Sequence, residues 1–149
     1  MLERKRLAKA ISIPIFLAIL LFVGSNVVFA CSCKEPENVQ SEYSKADAVF
    51  IGKVVGLEKL ESGYNYRVRF KVIKSYKGVA TEQLEIFSTL SEIGCDYSFE
   101  KNEEYLVYSH YILGGDARVS SCGRTKKLLE AKEDLEVLNG IITNSKIKE

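Results

Sequence analysis

The feature that most constrains this chain is a Cys-Ser-Cys stretch, residues 31–33, placed directly after a hydrophobic leader. The other two cysteines, Cys95 and Cys122, lie far downstream. An even number of cysteines behind a leader indicates disulfide bonds formed in an oxidising compartment. A bond between Cys31 and Cys33 would be strained, so each is predicted to pair with a separate downstream cysteine. Four cysteines permit three connectivities, and spacing alone does not choose among them.

Residues 1–30 have the three-part layout of a secretory signal peptide, bacterial in style. Residues 1–9 are basic, residues 10–23 are almost wholly apolar, and Ala30 is a small residue at the predicted cleavage site. Cleavage after Ala30 would make Cys31 the first residue of a secreted mature protein.

Two alternatives would leave the chain attached to the cell surface. A cysteine after the cleavage site is also the acceptor in lipoprotein signals, although Phe29 is larger than the residue usual at its position. Residues 10–30 are also long enough to span a bilayer, which needs roughly 20 residues. Membrane attachment is therefore expected only if the leader stays uncleaved or Cys31 is lipidated.

Charge and composition argue against nucleic-acid binding and against catalysis. The net charge is +1, but the leader holds four bases and one acid, so the mature part is slightly negative. No block of like charge stands out. His110 is the one histidine, which leaves no spare base for a serine or cysteine triad. The chain is therefore predicted not to be an enzyme.

Alternating apolar residues predict five short strands. Gly52 and Gly56 inside the first strand predict a bulge or a strong bend. The second strand alternates apolar residues with Arg67, Arg69 and Lys71, and this basic face is predicted to be solvated. The five strands cover residues 48–57, 64–75, 83–88, 105–110 and 117–121.

Helices are predicted near both ends of the mature chain. Residues 37–45 are predicted to form the first, and Pro36, directly before them, suits the start of a helix. Residues 126–139 form the second, which Thr125 is predicted to cap and an Asn-Gly pair at 139–140 to end.

These elements predict one domain over residues 31–142 and a polar tail, residues 143–149, that frays. Short strands separated by turns, with helices only at the ends, are typical of an all-β fold. A small Greek-key barrel is the predicted architecture, with an open sandwich as the alternative.

Several motifs together resemble a known family. They are Cys-Ser-Cys at 31–33, Ala-Asp-Ala-Val-Phe at 46–50, Tyr-Lys-Gly at 76–78, Cys95 in a loop, Tyr-Leu-Val-Tyr at 105–108, and Cys122. The pattern resembles the N-terminal, netrin-like domain of tissue inhibitors of metalloproteinases over about residues 31–140. The resemblance implies a five-stranded OB-type barrel with the C-terminal helix packed on it. It also implies the disulfides Cys31–Cys95 and Cys33–Cys122.

The resemblance implies a mechanism as well. In the family, the α-amino nitrogen and carbonyl oxygen of the N-terminal cysteine chelate the catalytic zinc of a metalloproteinase and expel its attacking water. By position, Cys31 would chelate that zinc, in trans only, and Ser32 would enter a specificity pocket. No cofactor is expected in the protein itself. The residues expected to contact the protease are Cys31, Ser32, Cys33, Lys34, Glu92, Ile93 and Gly94.

Other interpretations stay open. The cysteines could serve only as staples in a secreted or surface-attached netrin-like binding module that inhibits no protease. A Cys-x-Cys pair could instead bind copper or zinc through thiolates, which one histidine in a secreted chain disfavours. Single-stranded nucleic-acid binding is common among OB folds, but the charge of the mature chain argues against it. Lys34 departs from the family, whose animal members are usually apolar there.

Overall fold

The computed structural model describes residues 33–61, 65–89, 95–111 and 116–146. One helix precedes all of the described strands and another follows them. The elements, in chain order, are α1 Val39–Lys45, β1 Ala48–Lys59, β2 Asn65–Lys77, β3 Gln83–Thr89, β4 Glu104–Tyr111, β5 Ala117–Arg118, β6 Lys126–Lys127, a 3₁₀ turn at Leu128–Glu130, and α2 Lys132–Lys146.

The strands form one antiparallel sheet in the order β3-β2-β1-β4-β5, with β6 paired to β4. This confirms the predicted all-β class with helices at the ends. The predicted barrel is not closed, because β3 and β5 approach each other without forming a ladder in the part of the chain described. β5 has only two residues, and the chain after it pairs elsewhere: the Tyr97 N–H donates to the Val119 carbonyl at 2.8 Å.

Strand β1 is bent near both of its glycines. Its pairing with β2 shifts register at three places, and two of these adjoin Gly52 and Gly56. Bulges of this kind bend a strand and increase its twist, as predicted. A Cβ atom on Gly52 would lie 2.8 Å from the Phe50 ring and 3.0 Å from the Phe70 ring. The two rings therefore pack directly against the glycine backbone.

The central strands β1 and β4 are buried on both faces. On one face, Phe50 and Tyr105 belong to the inner cluster, which also contains residues of β2, β3 and β5. On the other face, Ile51 and Leu106 belong to the outer cluster, together with apolar side chains of α1 and α2. A strand buried on both faces shows a nearly continuous apolar run, which explains the composition of β1.

The basic face of β2 is solvated, as predicted. Val68 and Phe70 are buried in the inner cluster, whereas Arg67 and Arg69 alternate with them on the opposite face. Both arginines form partly exposed ion pairs with Glu85, at 3.6 Å and 3.4 Å. Such pairs contribute little to stability and leave this face an ordinary strand surface.

The start of the C-terminal helix differs from the prediction. Helix α2 begins at Lys132, and the five residues 126–130 form β6 and the 3₁₀ turn instead. Pairing with the edge of β4 competes successfully with helix formation at Lys126–Lys127. Thr125 does not cap the helix: its buried hydroxyl accepts the Tyr108 N–H at 2.9 Å.

The end of α2 also differs from the prediction. The helix passes through residues 139–140 and ends at Lys146, inside the stretch predicted to fray. Asn139 lies within the helix, and its side-chain Oδ1 accepts hydrogen bonds from Lys74 Nζ at 2.8 Å and from the Tyr76 hydroxyl at 3.2 Å. These bonds tie the middle of the helix to β2 and keep it from stopping there.

Helix α1 begins two residues later than predicted. Asn38 is its N-cap, and the Asn38 side chain accepts the Ser41 N–H at 2.9 Å. Pro36 therefore lies in the extended segment before the helix rather than in its first turn.

The predicted leader and residues 147–149 lie outside the described residues. The longest helix that is described, α2, has 15 residues, whereas a bilayer span needs roughly 20. Across the described ranges, no helix is long and apolar enough to cross a membrane.

Gly78, directly after β2, has a backbone conformation that strongly favours glycine. Its φ is +70°, and a Cβ atom there would lie 2.0 Å from the Asp47 carbonyl oxygen. Gly78→Ala is expected to lower the free energy of unfolding by about 2 kcal/mol, because the backbone it meets cannot easily move. Gly140→Ala is the control: nothing lies within 4 Å of its Cβ position, so it should raise stability by about 0.5–1 kcal/mol. Urea unfolding measures both, and equal effects would contradict the argument.

Candidate functional site

Cys33 is joined by a disulfide to Cys122, 89 positions later in the sequence, with the two Cα atoms 5.1 Å apart. This is the pairing that the resemblance implied. Cys95 is also disulfide-bonded. Its predicted partner, Cys31, lies outside the described residues, so the Cys31–Cys95 bond stays a prediction.

The Cys95 backbone is hydrogen-bonded to Ser121, the residue directly before Cys122. The Cys95 carbonyl oxygen accepts the Ser121 N–H at 2.7 Å and the Ser121 hydroxyl at 2.9 Å. The neighbouring residues Asp96 and Ser120 form a β-bridge. Three of the four cysteines therefore lie close together: Cys95 beside Ser121, and Cys33 bonded to the next residue, Cys122.

The segment that follows Cys33 lies on the surface. Residues 33–38 are all exposed. The disulfide fixes the segment at Cys33, and Arg124 donates from Nη1 to the Glu37 carbonyl oxygen at 3.1 Å. The segment is thus exposed on the surface and is held to the domain at two points, Cys33 and Glu37.

Arg124 is itself fixed by a buried carboxylate on α2. The Asp134 side chain is only 1% exposed, and it accepts from Arg124 Nε and Nη2, both at 2.8 Å. Lys126 Nζ donates to the same carboxylate at 3.0 Å, and the Tyr108 hydroxyl at 3.1 Å. We call these four residues the Asp134 cluster. It joins α2, β4, β6 and the chain after Cys122.

The Asp134 cluster keeps its ion pairs at neutral pH. Burial alone would raise the pKa of Asp134, but hydrogen bonds from Arg124 and Lys126 outweigh it and hold that pKa below its usual value. The hydrogen bond to Asp134 raises the pKa of Arg124. Burial, followed by the charge of Asp134, raises the pKa of Tyr108. The carboxylate therefore stays ionised and the phenol stays neutral.

The structure describes two of the residues expected to contact a protease, Cys33 and Lys34, and both are exposed. The contacts of the others remain predictions. Within the described ranges, no group of three or more His, Cys, Asp or Glu side chains could hold a metal ion. The expected contact residues outside the described ranges are Cys31, Ser32, Glu92, Ile93 and Gly94.

Sequence reasoning missed Arg124 and Asp134. A signal for Asp134 was present: it occupies the apolar stripe of α2, at the spacing of Ala131, Leu135 and Leu138. An acid in such a stripe requires a buried cationic partner. The sequence does not say which cation reaches it, nor that this cation also contacts the chain before α1.

The described residues form a disulfide-bonded antiparallel sheet with helices at both ends and an exposed segment after Cys33. The family model for Tissue inhibitor of metalloproteinase matches residues 29–131, and the chain belongs to this family. Members of the family are inhibitors rather than enzymes, their partners are metalloproteinases, and they are typically secreted. No curated protein matches the chain significantly.

Proposed function

We propose that this protein inhibits a zinc metalloproteinase, with the α-amino nitrogen and carbonyl oxygen of Cys31 as ligands of the protease's zinc. Family membership supports inhibition in general. One observation supports the chelating mechanism: the segment directly after residues 31–32 is exposed, yet attached through Cys33 and Glu37. A terminus that precedes such a segment can enter a cleft in a defined direction.

Chelation requires the amine and the carbonyl of one residue to meet the metal together. Catalytic zinc has three protein ligands and keeps its fourth position for water or substrate. An amine and a carbonyl on the same α-carbon close a five-membered ring with the metal. Occupying the open position removes the water that attacks the substrate peptide bond. Because the segment is held in place before binding, less conformational entropy is lost when the complex forms.

The remaining contacts follow from the direction of the chain. Ser32 is proposed to enter the primed-side specificity pocket, with Cys33 and Lys34 continuing along the cleft. The loop residues 92–94 are proposed to lie beside them. The hydrogen bond from Ser121 to the Cys95 carbonyl supports this placement of the loop, because it brings Cys95, at the loop's end, next to the Cys33–Cys122 disulfide.

The first test is whether the mature protein has the required N-terminus and inhibits. Intact mass and N-terminal sequencing of the secreted protein should show an unmodified Cys31 and two disulfides. That protein is then titrated against a panel of zinc metalloproteinases, with serine proteases as controls. Inhibition confined to the zinc enzymes supports the proposal. No inhibition by a protein with a free Cys31 amine would instead favour a netrin-like binding module.

Inhibition should weaken as the pH falls. An α-amino group titrates with a pKa of about 7.7–8.0, and the protonated amine has no lone pair for zinc. The inhibition constant should rise about tenfold for each pH unit below that range. An inhibitor of the same protease that has no zinc-binding group corrects for titration of the enzyme. A constant ratio between the two inhibitors from about pH 6 to about pH 9 would contradict chelation by the amine.

A further inference from the structure

We infer that Arg124 is a positioning residue for the N-terminal segment: held by Asp134, it forms a second anchor that keeps residues 34–37 ordered for binding to the protease. The consequence for inhibition rests on the proposed function. The ordering of the segment does not, and it can be measured in the free protein.

The geometry of the guanidinium group carries the first step. Arginine presents five N–H donors in a rigid planar fork. Nε and Nη2 of Arg124 occupy the two oxygens of Asp134, which fixes the plane of the guanidinium group. Nη1 then points in one direction, and the acceptor in that direction is the Glu37 carbonyl oxygen, at 3.1 Å. The Glu37 carbonyl is thus held by an arginine whose orientation is set by a buried carboxylate on α2.

The second step concerns the span between the two anchors. Cys33 is held by its disulfide and the Glu37 carbonyl by Arg124, while the exposed Glu37 side chain contacts Ser41 and Lys45 of α1. In the described part of the chain, no hydrogen bond or ion pair holds Lys34, Glu35 or Pro36. Proline restricts its own φ, but the direction of such a short exposed span is decided by its ends. Without the bond from Arg124, the span would be held at that end only by its continuation into α1 and by the exposed contacts of the Glu37 side chain with Ser41 and Lys45.

The third step separates positioning from charge neutralisation. Lys126 donates to the same carboxylate at 3.0 Å and makes no hydrogen bond with the N-terminal segment in the described structure. With Arg124 absent, Asp134 would keep a cation and the Tyr108 hydroxyl. With Lys126 absent, it would keep Arg124 and the same hydroxyl. Each cation therefore stabilises Asp134, and only Arg124 adds the bond to Glu37.

The experiment compares Arg124→Met with Lys126→Met in the full mature protein. Each variant removes one cation from Asp134, and both should lose similar stability. Backbone ¹⁵N relaxation reports the order parameters of the Lys34, Glu35 and Glu37 amides. In R124M these should fall from about 0.85 to below about 0.6, while K126M keeps the wild-type values. Dissociation from an inhibited protease should become about tenfold faster in R124M and stay within about twofold in K126M.

Two further variants keep the test decisive. Arg124→Lys retains a cation near Asp134 but lacks the fork, so it should loosen the same three amides even if R124M fails to fold. Glu37→Ala removes the exposed side-chain contacts with Ser41 and Lys45 but retains the backbone carbonyl, so its order parameters should equal those of the wild type. Loosening in E37A would overturn the inference, because the Glu37 side chain rather than its carbonyl would then hold the segment.

Wild-type order in both R124M and R124K, or equal loosening in R124M and K126M, would also overturn the inference. If the wild-type protein inhibits no protease, the proposed function fails and the dissociation measurement has no complex to follow. The relaxation measurement still decides whether Arg124 orders the segment. Failure of one proposal is therefore distinguishable from failure of the other.

Discussion

One residue added before Cys31 should abolish metalloproteinase inhibition, with a loss of affinity of at least about a thousandfold, or about 4 kcal/mol. The addition converts the α-amino group into an amide nitrogen, whose lone pair is delocalised and no longer binds zinc. The additional residue would also stand where the metal must approach. Acetylation of the Cys31 amine should have the same effect without adding a side chain.

The control for this prediction is the fold itself. The Cys33–Cys122 disulfide and the bond from Arg124 to Glu37 lie after the altered position. The extended and acetylated proteins should therefore unfold at the same urea concentration as the mature protein. Removal of the added residue by an aminopeptidase should restore inhibition. Undiminished inhibition by the extended or acetylated protein would disprove chelation by the amine.

Asp134→Ala should lower the free energy of unfolding by about 3–5 kcal/mol, the cost typical of breaking a buried ion pair. The substitution leaves the Arg124 and Lys126 cations without their shared anion and the Tyr108 hydroxyl without its acceptor. Urea unfolding measures the loss. The neighbouring Glu133→Ala is the matched control: Glu133 is exposed, so its removal should change stability by no more than about 0.5 kcal/mol.

The pH dependence of stability gives a second readout on Asp134. Its pKa is lower in the folded protein than the value of about 3.9 expected in the unfolded chain. The carboxylate's contribution is therefore complete above that value and is lost as the pH falls through the folded pKa. The wild type should lose stability more steeply below about pH 4 than Asp134→Asn does. Parallel profiles for the two proteins would contradict the lowered pKa.

The buried Asp134 and the segment that follows Cys33 are connected through Arg124. Asp134 fixes Arg124, and Arg124 donates to Glu37, four residues after Cys33. Helix α2 is thereby coupled to the segment proposed to guide Cys31 into the protease. Asp134→Ala should consequently loosen the N-terminal segment as well as lower stability, an effect that Glu133→Ala should lack.

Much of the sheet could be predicted from the sequence, because the signals for it are local. The alternation of Val68 and Phe70 with Arg67 and Arg69 predicted both β2 and its buried face, since successive strand residues point to opposite faces. Gly52 and Gly56 predicted the bends of β1 for a similar reason, because a glycine inside a strand marks a bulge or bend at its own position. Family membership was also accessible, because the Cys-x-Cys pair with two distant cysteines is a distinctive spacing.

The errors fall where distant residues compete for the same stretch of chain. The sequence at 126–139 favours a helix, but the edge of β4 pairs with Lys126–Lys127 and delays the helix to Lys132. Thr125 was predicted to cap that helix and instead bonds to Tyr108. Barrel closure likewise depends on where the short β5 and the chain after it find partners. Helix propensities and capping preferences describe the isolated segment, and tertiary contacts outweighed them here.

The sequence by itself determined the class of fold, the expectation of disulfide bonds and the family, because each depends on residue types at fixed spacings along the chain. Only the tertiary structure decided which side chain holds the far end of the exposed segment after Cys33. The contact of Arg124 with Glu37 joins residues 87 positions apart. The energy of such contacts depends on distances in space. No pattern within either segment records those distances, so the anchor became visible only once the chain was folded.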